Sequence, residues 1–159
     1  MRVCSDELKK DPQTMSNENT QPILTVTDAP GSKAEEVIEG GLSQFNEDNA
    51  GYRDLRRLAV LVSDPETKVV VGGLLGRTSL GLLSINRLFL PASLRKRGLG
   101  GRIMQEAEDE ARRRGCGKAV VTTINFQAPK FYERHGYQVF GQIECLPGVA
   151  RIYLSKKLV

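Results

Sequence analysis

Leu88-Phe89-Leu90-Pro91-Ala92-Ser93-Leu94-Arg95-Lys96-Arg97-Gly98-Leu99-Gly100-Gly101 is the stretch on which the fold turns. An apolar run ends, three cations follow, and a glycine-rich step leads into a helical pattern that continues to Arg114. Backbone N–H groups at a helix start have no intrahelical partner and point outward, and the helix dipole adds partial positive charge there. Glycines let an anion approach that backbone with no Cβ in the way. The run therefore describes a strand, an anion cradle and a helix, and the ligand it suits is a pyrophosphate.

The flanking sequence extends this unit in both directions. Upstream, the apolar stretches Leu58 to Val62, Val69 to Leu75 and Leu80 to Leu90 are joined by Asp64-Pro65-Glu66-Thr67 and by Arg77-Thr78-Ser79, which predicts an antiparallel meander. Before it, Ile23 to Thr27 alternates apolar and polar residues and predicts a first strand. Ser32 followed by Glu35 has the form of a capping box, and Ile38, Leu42 and Phe45 stand at helical spacing, so a helix is expected from about Ser32 to Phe45. Gly40 and Gly41 in its middle each cost about 1 kcal/mol relative to alanine and predict a bend or local mobility there. Downstream, Leu99, Ile103, Ala107 and Ala111 share one helix face, with Glu106, Glu110 and Arg113 outside it, and the helix ends near Gly115. A strand over Ala119 to Thr123, a short helix over Pro129 to His135 closed by Gly136, and strands over Tyr137 to Gln142 and Ala150 to Lys156 complete the pattern. Strands first, then alternating strands and helices, indicate an α/β sandwich with a mixed, largely antiparallel sheet.

A chain of 159 residues is long enough for one core and short for two domains. Residues 1–22 are polar, mixed in charge and broken by Pro12 and Pro22, the composition of a flexible tail, which leaves 23–159 as a single domain. The net charge of +4 is a modest excess and is read regionally. No apolar run approaches the roughly 20 residues of a membrane span, and no secretory signal pattern opens the chain, so a cytoplasmic location without a membrane partner is expected. Cys4, Cys116 and Cys145 are odd in number and far apart, and His135 is the sole histidine, so neither a disulfide framework nor a metal site is expected.

Two motifs carry the chemistry. The first is R-x-x-G-x-G at Arg95 to Gly100; the second, about thirty residues later, is N-x-x-A-x-x-F-Y at Asn125 to Tyr132, continuing Glu133-Arg134-His135-Gly136-Tyr137. A dinucleotide fingerprint needs a third small residue where Ile103 stands, and a P-loop needs Gly-Lys-Ser/Thr, which is absent. Together and in this order the motifs resemble the acetyl-CoA-binding core of the GNAT N-acetyltransferase superfamily, of the bacterial small-molecule type. The resemblance spans roughly Ile23 to Leu158 and is strongest from Leu88 to Phe140. It implies a three-layer α/β (α+β) arrangement, a mixed and mostly antiparallel sheet of about six to seven strands flanked by about four helices.

The same resemblance implies acetyl-CoA as cosubstrate and no metal. Leu88, Phe89 and Leu90 would offer peptide groups to the pantetheine arm, which enters a gap between splayed strands. Arg95, Lys96, Arg97, Gly98, Leu99, Gly100 and Gly101 would hold the pyrophosphate, Lys130 would reach the nucleotide's further phosphate, and Asn125 would bind the arm from the opposite strand. Tyr132 would be the catalytic acid that protonates the thiolate after an amine attacks the thioester, in a ternary complex. A phenol with a pKa near ~10 is protonated at neutral pH and suits that task.

The general base is not specified, since no Asp or Glu occurs between Glu66 and Glu106, and Asn86 and Arg87 occupy the strand where relatives carry a carboxylate. Glu47, Asp48, Glu144 or ordered water could take the proton, and those carboxylates would favour a cationic acceptor. His135 is expected to cap the short helix rather than act as a base. The partner is an amine on a small molecule or peptide; a homodimer is left open because dimers are frequent in that superfamily. Two other readings stand beside this one: a nonenzymatic acyl-CoA-binding sensor or interaction module, and a nucleic-acid-binding domain using Arg95 to Arg97 with Arg112-Arg113-Arg114.

Overall fold

A computed structural model of the protein describes residues 21–159. The chain runs α1 (Ser32–Ala50), β1 (Arg56–Ser63), β2 (Val70–Ser79), β3 (Leu82–Phe89), a 3-10 turn (Ala92–Leu94), α2 (Leu99–Arg113), β4 (Lys118–Ile124), α3 (Pro129–Arg134), β5 (Gln138–Leu146) and β6 (Val149–Lys157). The six strands form one sheet in the order β1-β2-β3-β4-β6-β5, in which β3 and β4 are parallel and every other pair is antiparallel. The expected class therefore holds, with six strands and three α-helices among the described residues.

Alternation along the strands sorts the two faces. Leu58, Leu74, Leu83, Ile85, Ala119, Val121, Ile152 and Leu154 are buried and meet Ile103, Met104, Ala107 and Ala111 of α2. Their neighbours Leu82 and Ser84 point to the opposite face, where they line a pocket with Leu42, Ser43 and Glu47 of α1. The sheet thus lies between α1 on one side and α2 on the other.

Several local expectations are corrected. Ile23 to Thr27 forms no strand, and Ile23 and Leu24 are over 90% exposed, because alternation alone cannot supply the neighbouring strand that satisfies a backbone. Residues 1–20 of the expected tail lie outside the described residues. The first helix extends to Ala50 and passes through Gly40 and Gly41 without a break. Its N-cap is Gly31, and Ser32 makes no capping bond, so the capping box does not form. The turn between β2 and β3 is Leu80-Gly81, with Arg77 to Ser79 still inside β2, where Thr78 is buried against the core. Among the described residues no helix is long and apolar enough to cross a membrane.

The topology leaves one gap. β3 pairs with β4 only from Leu82↔Lys118 to Ile85↔Val121, after which the two parallel strands diverge. Asn86 causes the change: between Gly76↔Ile85 and Leu75↔Arg87 it is an extra residue, a β-bulge that bends β3. Beyond it Arg87, Leu88 and Phe89 stay paired to β2 on one side only.

Candidate active site

The gap opens into a cleft of about 970 Å³, at the upper end of the range for ligand pockets. Its walls are Ile85 to Leu90 from β3, Val121 to Thr123 from β4, the Arg95 to Gly101 turn, and α3 with the loop before it. Both faces of the sheet contribute, since Leu88 packs on the core while Phe89 is exposed on the other side, so the cleft passes through the sheet.

At the α2 end the chain turns into a helix whose start has no side-chain cap. Lys96 and Gly98 both adopt positive φ, 60° and 75°, which turns the chain sharply into the helix; glycine bears this conformation without strain and lysine does not. Arg102 is the first residue to bond back, to the Gly98 carbonyl, so the N–H groups of the turn before it have no helical acceptor. No acidic residue sits in that first turn. Arg95 donates Nε–H to the Leu90 carbonyl at 2.7 Å, tying the cation to the end of the unpaired strand.

Gly100 and Gly101 have a second role that the motif did not reveal. A Cβ on Gly100 would lie 3.1 Å from the Phe131 ring, and one on Gly101 would lie 2.8 Å from His135 Nε2. These glycines let α3 rest directly on the start of α2. His135 Nδ1–H donates to the Phe131 carbonyl at 2.7 Å, and the ring centroid lies 4.4 Å from that of Phe131 with the planes tilted by 43°, as a helix cap packed inward.

Tyr132 is buried in the wall of the cleft, with its ring edge-to-face against Phe131 at 5.1 Å and Tyr137 at 6.0 Å. Burial raises its pKa above the ordinary phenol value, keeping the group an acid. Its hydroxyl makes no hydrogen bond to a described residue and is not among the fully enclosed orphan oxygens, so it meets the cleft.

Behind Tyr132 lies a polar cluster that the sequence reasoning missed. Glu108 is 1% exposed, held by Lys156 at 2.6 Å and Arg112 at 3.5 Å. Its Oε1 and the Tyr137 hydroxyl are both enclosed without a hydrogen-bond partner among the described residues. Burial, reinforced by the Glu108 charge, drives the Tyr137 pKa strongly upward. The available signal was position: Glu108 lies on the same helix stripe as Met104 and Ala111, which are buried.

Other expected residues are placed elsewhere. Asn125 does not line the cleft: its amide donates to the Gly148 carbonyl at 2.9 Å and accepts from Ala150 N–H at 3.3 Å, holding the β5–β6 turn against the end of β4. Arg97 and Lys130 are exposed outside the cleft lining, and Leu99 turns its side chain to the core. Glu47 bridges to Arg53 at 3.1 Å and faces the pocket under α1, Gln44 donates to Asp48, and Glu144 accepts from Gly148 N–H at 3.4 Å. None of these carboxylates lines the cleft. Cys116 is buried and Cys145 exposed, both away from it.

The Arg112 to Arg114 run is likewise spoken for. Arg112 pairs with Asp109 at 2.6 Å, Arg113 with Glu110 at 2.8 Å, and Arg114 with Glu110 at 2.6 Å. Cations neutralised on their own helix offer little to a phosphate backbone.

The sequence profile of the Acetyltransferase (GNAT) family matches residues 29–137. The chain belongs to this family. GNAT acetyltransferases take acetyl-CoA as cosubstrate, and the cleft fits it: unpaired backbone along β3 for an extended arm, and unpaired N–H groups with Arg95 and Lys96 for phosphates. Among relatives, the acetyltransferase Atu2258 of Agrobacterium fabrum is 34% identical over 135 residues, covering 84% of this chain and 98% of its own. Blasticidin-S acetyltransferase of Streptomyces morookaense is 34% identical over 125 residues, covering 71% of this chain and 92% of its own. A crystal structure from Agrobacterium tumefaciens, assigned as an acetyltransferase, superposes with a TM-score of 0.78 at 31% identity, covering 86% of this chain and 99% of that one. This GNAT chain is thus similar to acetyltransferases along nearly the whole length of those relatives.

Proposed function

We propose that this GNAT protein is an N-acetyltransferase that moves the acetyl group of acetyl-CoA directly to an amine in a ternary complex, with Tyr132 as general acid. The observation that carries the reading is the coincidence of three features in one cleft: the divergence of β3 from β4, the uncapped start of α2, and a buried phenol between them.

In this reading the peptide groups of Leu88, Phe89 and Leu90 bind the pantetheine arm like an added strand. The first turn of α2, with Arg95 and Lys96, holds the pyrophosphate. The amine nitrogen attacks the thioester carbonyl, the C–S bond breaks, and Tyr132 gives its proton to the departing thiolate. With no carboxylate in the cleft wall among the described residues, the proton lost by the nitrogen passes to water. Similarity to an enzyme named for an antibiotic acceptor supports a small-molecule amine as the acceptor class.

The test is calorimetric titration with acetyl-CoA, followed by a thiol-release screen of amines. Micromolar binding and amine-dependent thiol release are expected. Binding without release for any amine would favour a sensor, and absence of binding by folded protein would defeat both readings.

A further inference from the structure

Among the described residues, four cationic side chains, Arg87, Arg95, Lys96 and Arg134, line the cleft, together with His135 and no Asp or Glu. Three of the four gather at the α2 end. Arg95 and Lys96 belong to the turn that leads into the helix, and Arg134 adjoins His135, whose ring lies against Gly101. In the reading above they face the phosphates of the cosubstrate.

Arg87 stands apart. It is the first residue after the Asn86 bulge, at the place where β3 leaves β4. Because Leu88 packs on the core, Arg87 as its strand neighbour points to the opposite face, the side of the sheet that carries α1. The phosphate turn and α3 line the cleft on the α2 side, which leaves the α1 side for an acceptor. No carboxylate among the described residues forms an ion pair with Arg87. An unpaired guanidinium in a cleft wall is a binding group for an anion, and its planar fork matches a carboxylate through two parallel N–H bonds.

We infer that the acceptor is an amino acid or a similar amine that carries a carboxylate, and that Arg87 holds that carboxylate and thereby decides acceptor specificity. The inference rests on the acetyl-transfer reading given above and narrows its substrate class.

The experiment uses matched product analogues, so that it does not depend on finding the natural acceptor. Acetyl-CoA affinity is first measured for the full chain and for Arg87→Gln and Arg87→Lys. A series of N-acetyl amino acids and their C-terminal amides is then titrated into protein saturated with coenzyme A. At least one carboxylate is expected to bind about tenfold tighter than its amide, a typical yield for a charge-assisted contact. Arg87→Gln is expected to erase that preference and Arg87→Lys to keep part of it, both with acetyl-CoA affinity unchanged. Amides binding as well as carboxylates, or no binding by either, overturns the inference. So does a Gln variant that weakens both members of a pair equally, which would assign Arg87 to the acetamide that both members share. Failure to bind acetyl-CoA at all defeats the acetyl-transfer reading itself, whereas acetyl-CoA binding without carboxylate preference defeats only this inference.

Discussion

The two ends of the cleft are built on different principles. At the α2 end the groups open to a ligand are backbone N–H donors without a helical acceptor, and Gly98, Gly100 and Gly101 determine the shape through a positive φ and through contacts with Phe131 and His135. At the strand end the groups are side chains, Asn86, Arg87 and Tyr132, carried on a bulge and a six-residue helix from distant parts of the chain. A backbone site depends on which residues can be accommodated; a side-chain site depends on where the fold brings its members. The first should fail through geometry and lose binding, and the second through chemistry and lose turnover or selectivity.

The largest expected effect lies at the backbone end. Gly98→Val with Gly100→Val forces a branched side chain into positive φ and another into the Phe131 ring, and acetyl-CoA affinity should drop more than about 100-fold with the circular dichroism spectrum retained. Arg95→Ala with Lys96→Ala, which leaves that backbone intact, should lose only about tenfold, as expected for exposed cations. If the second pair proved as damaging as the first, the backbone account of this end would be wrong.

Next comes Tyr132→Phe. A drop of about 100-fold in kcat, with acetyl-CoA affinity within about twofold, is the signature of a lost general acid. Equal loss in affinity and turnover would make Tyr132 part of the binding wall and erase the contrast between the ends. The burial that raises its pKa adds a sign: the active form is protonated, so kcat should hold to at least pH ~10 and fall only above it. An alkaline limb near neutrality would point to a different group.

Smaller is the effect of Asn125→Ala. Its two bonds to the β5–β6 turn are worth about 1 kcal/mol in net stability, to be read as a lowered urea midpoint, with acetyl-CoA affinity little changed. A large affinity loss with unchanged stability would return Asn125 to the cleft.

The smallest expected effect is in alkaline stability. Tyr132 and Tyr137 both have raised pKa values in the folded chain. The unfolded phenols ionise near pH ~10, so the stabilising contribution is complete below that pH and is lost as pH rises through the folded values. Urea midpoints should therefore be level from neutral pH to about 10 and decline above, more gently in Tyr137→Phe.

How far the sequence could be read followed the range of the interactions involved. The meander, α2 and the later strand–helix–strand segment were legible because apolar spacing and glycine stops are local signals. The expected strand over Ile23 to Thr27 was not realised, because a strand exists only beside another, and no local pattern says whether a neighbour is there. The helix that begins at Ser32 passes through Gly40 and Gly41 because two glycines in a row lower helix propensity without forbidding it, and it runs past Phe45 to Ala50, where Gly51 caps it in the left-handed conformation.

By itself the sequence determined the order of elements, the uncapped glycine start of α2, and the presence of a tyrosine at a motif position, since each of these depends on residues within a turn or two of one another. Only the tertiary structure decided that Asn86 is the bulge, that β3 and β4 separate after Ile85, that Asn125 is consumed by the β5–β6 turn, and that Glu108 is enclosed beside Lys156. Strand register, burial and side-chain partners are settled by residues far apart in the chain, whose meeting is a property of the packed whole.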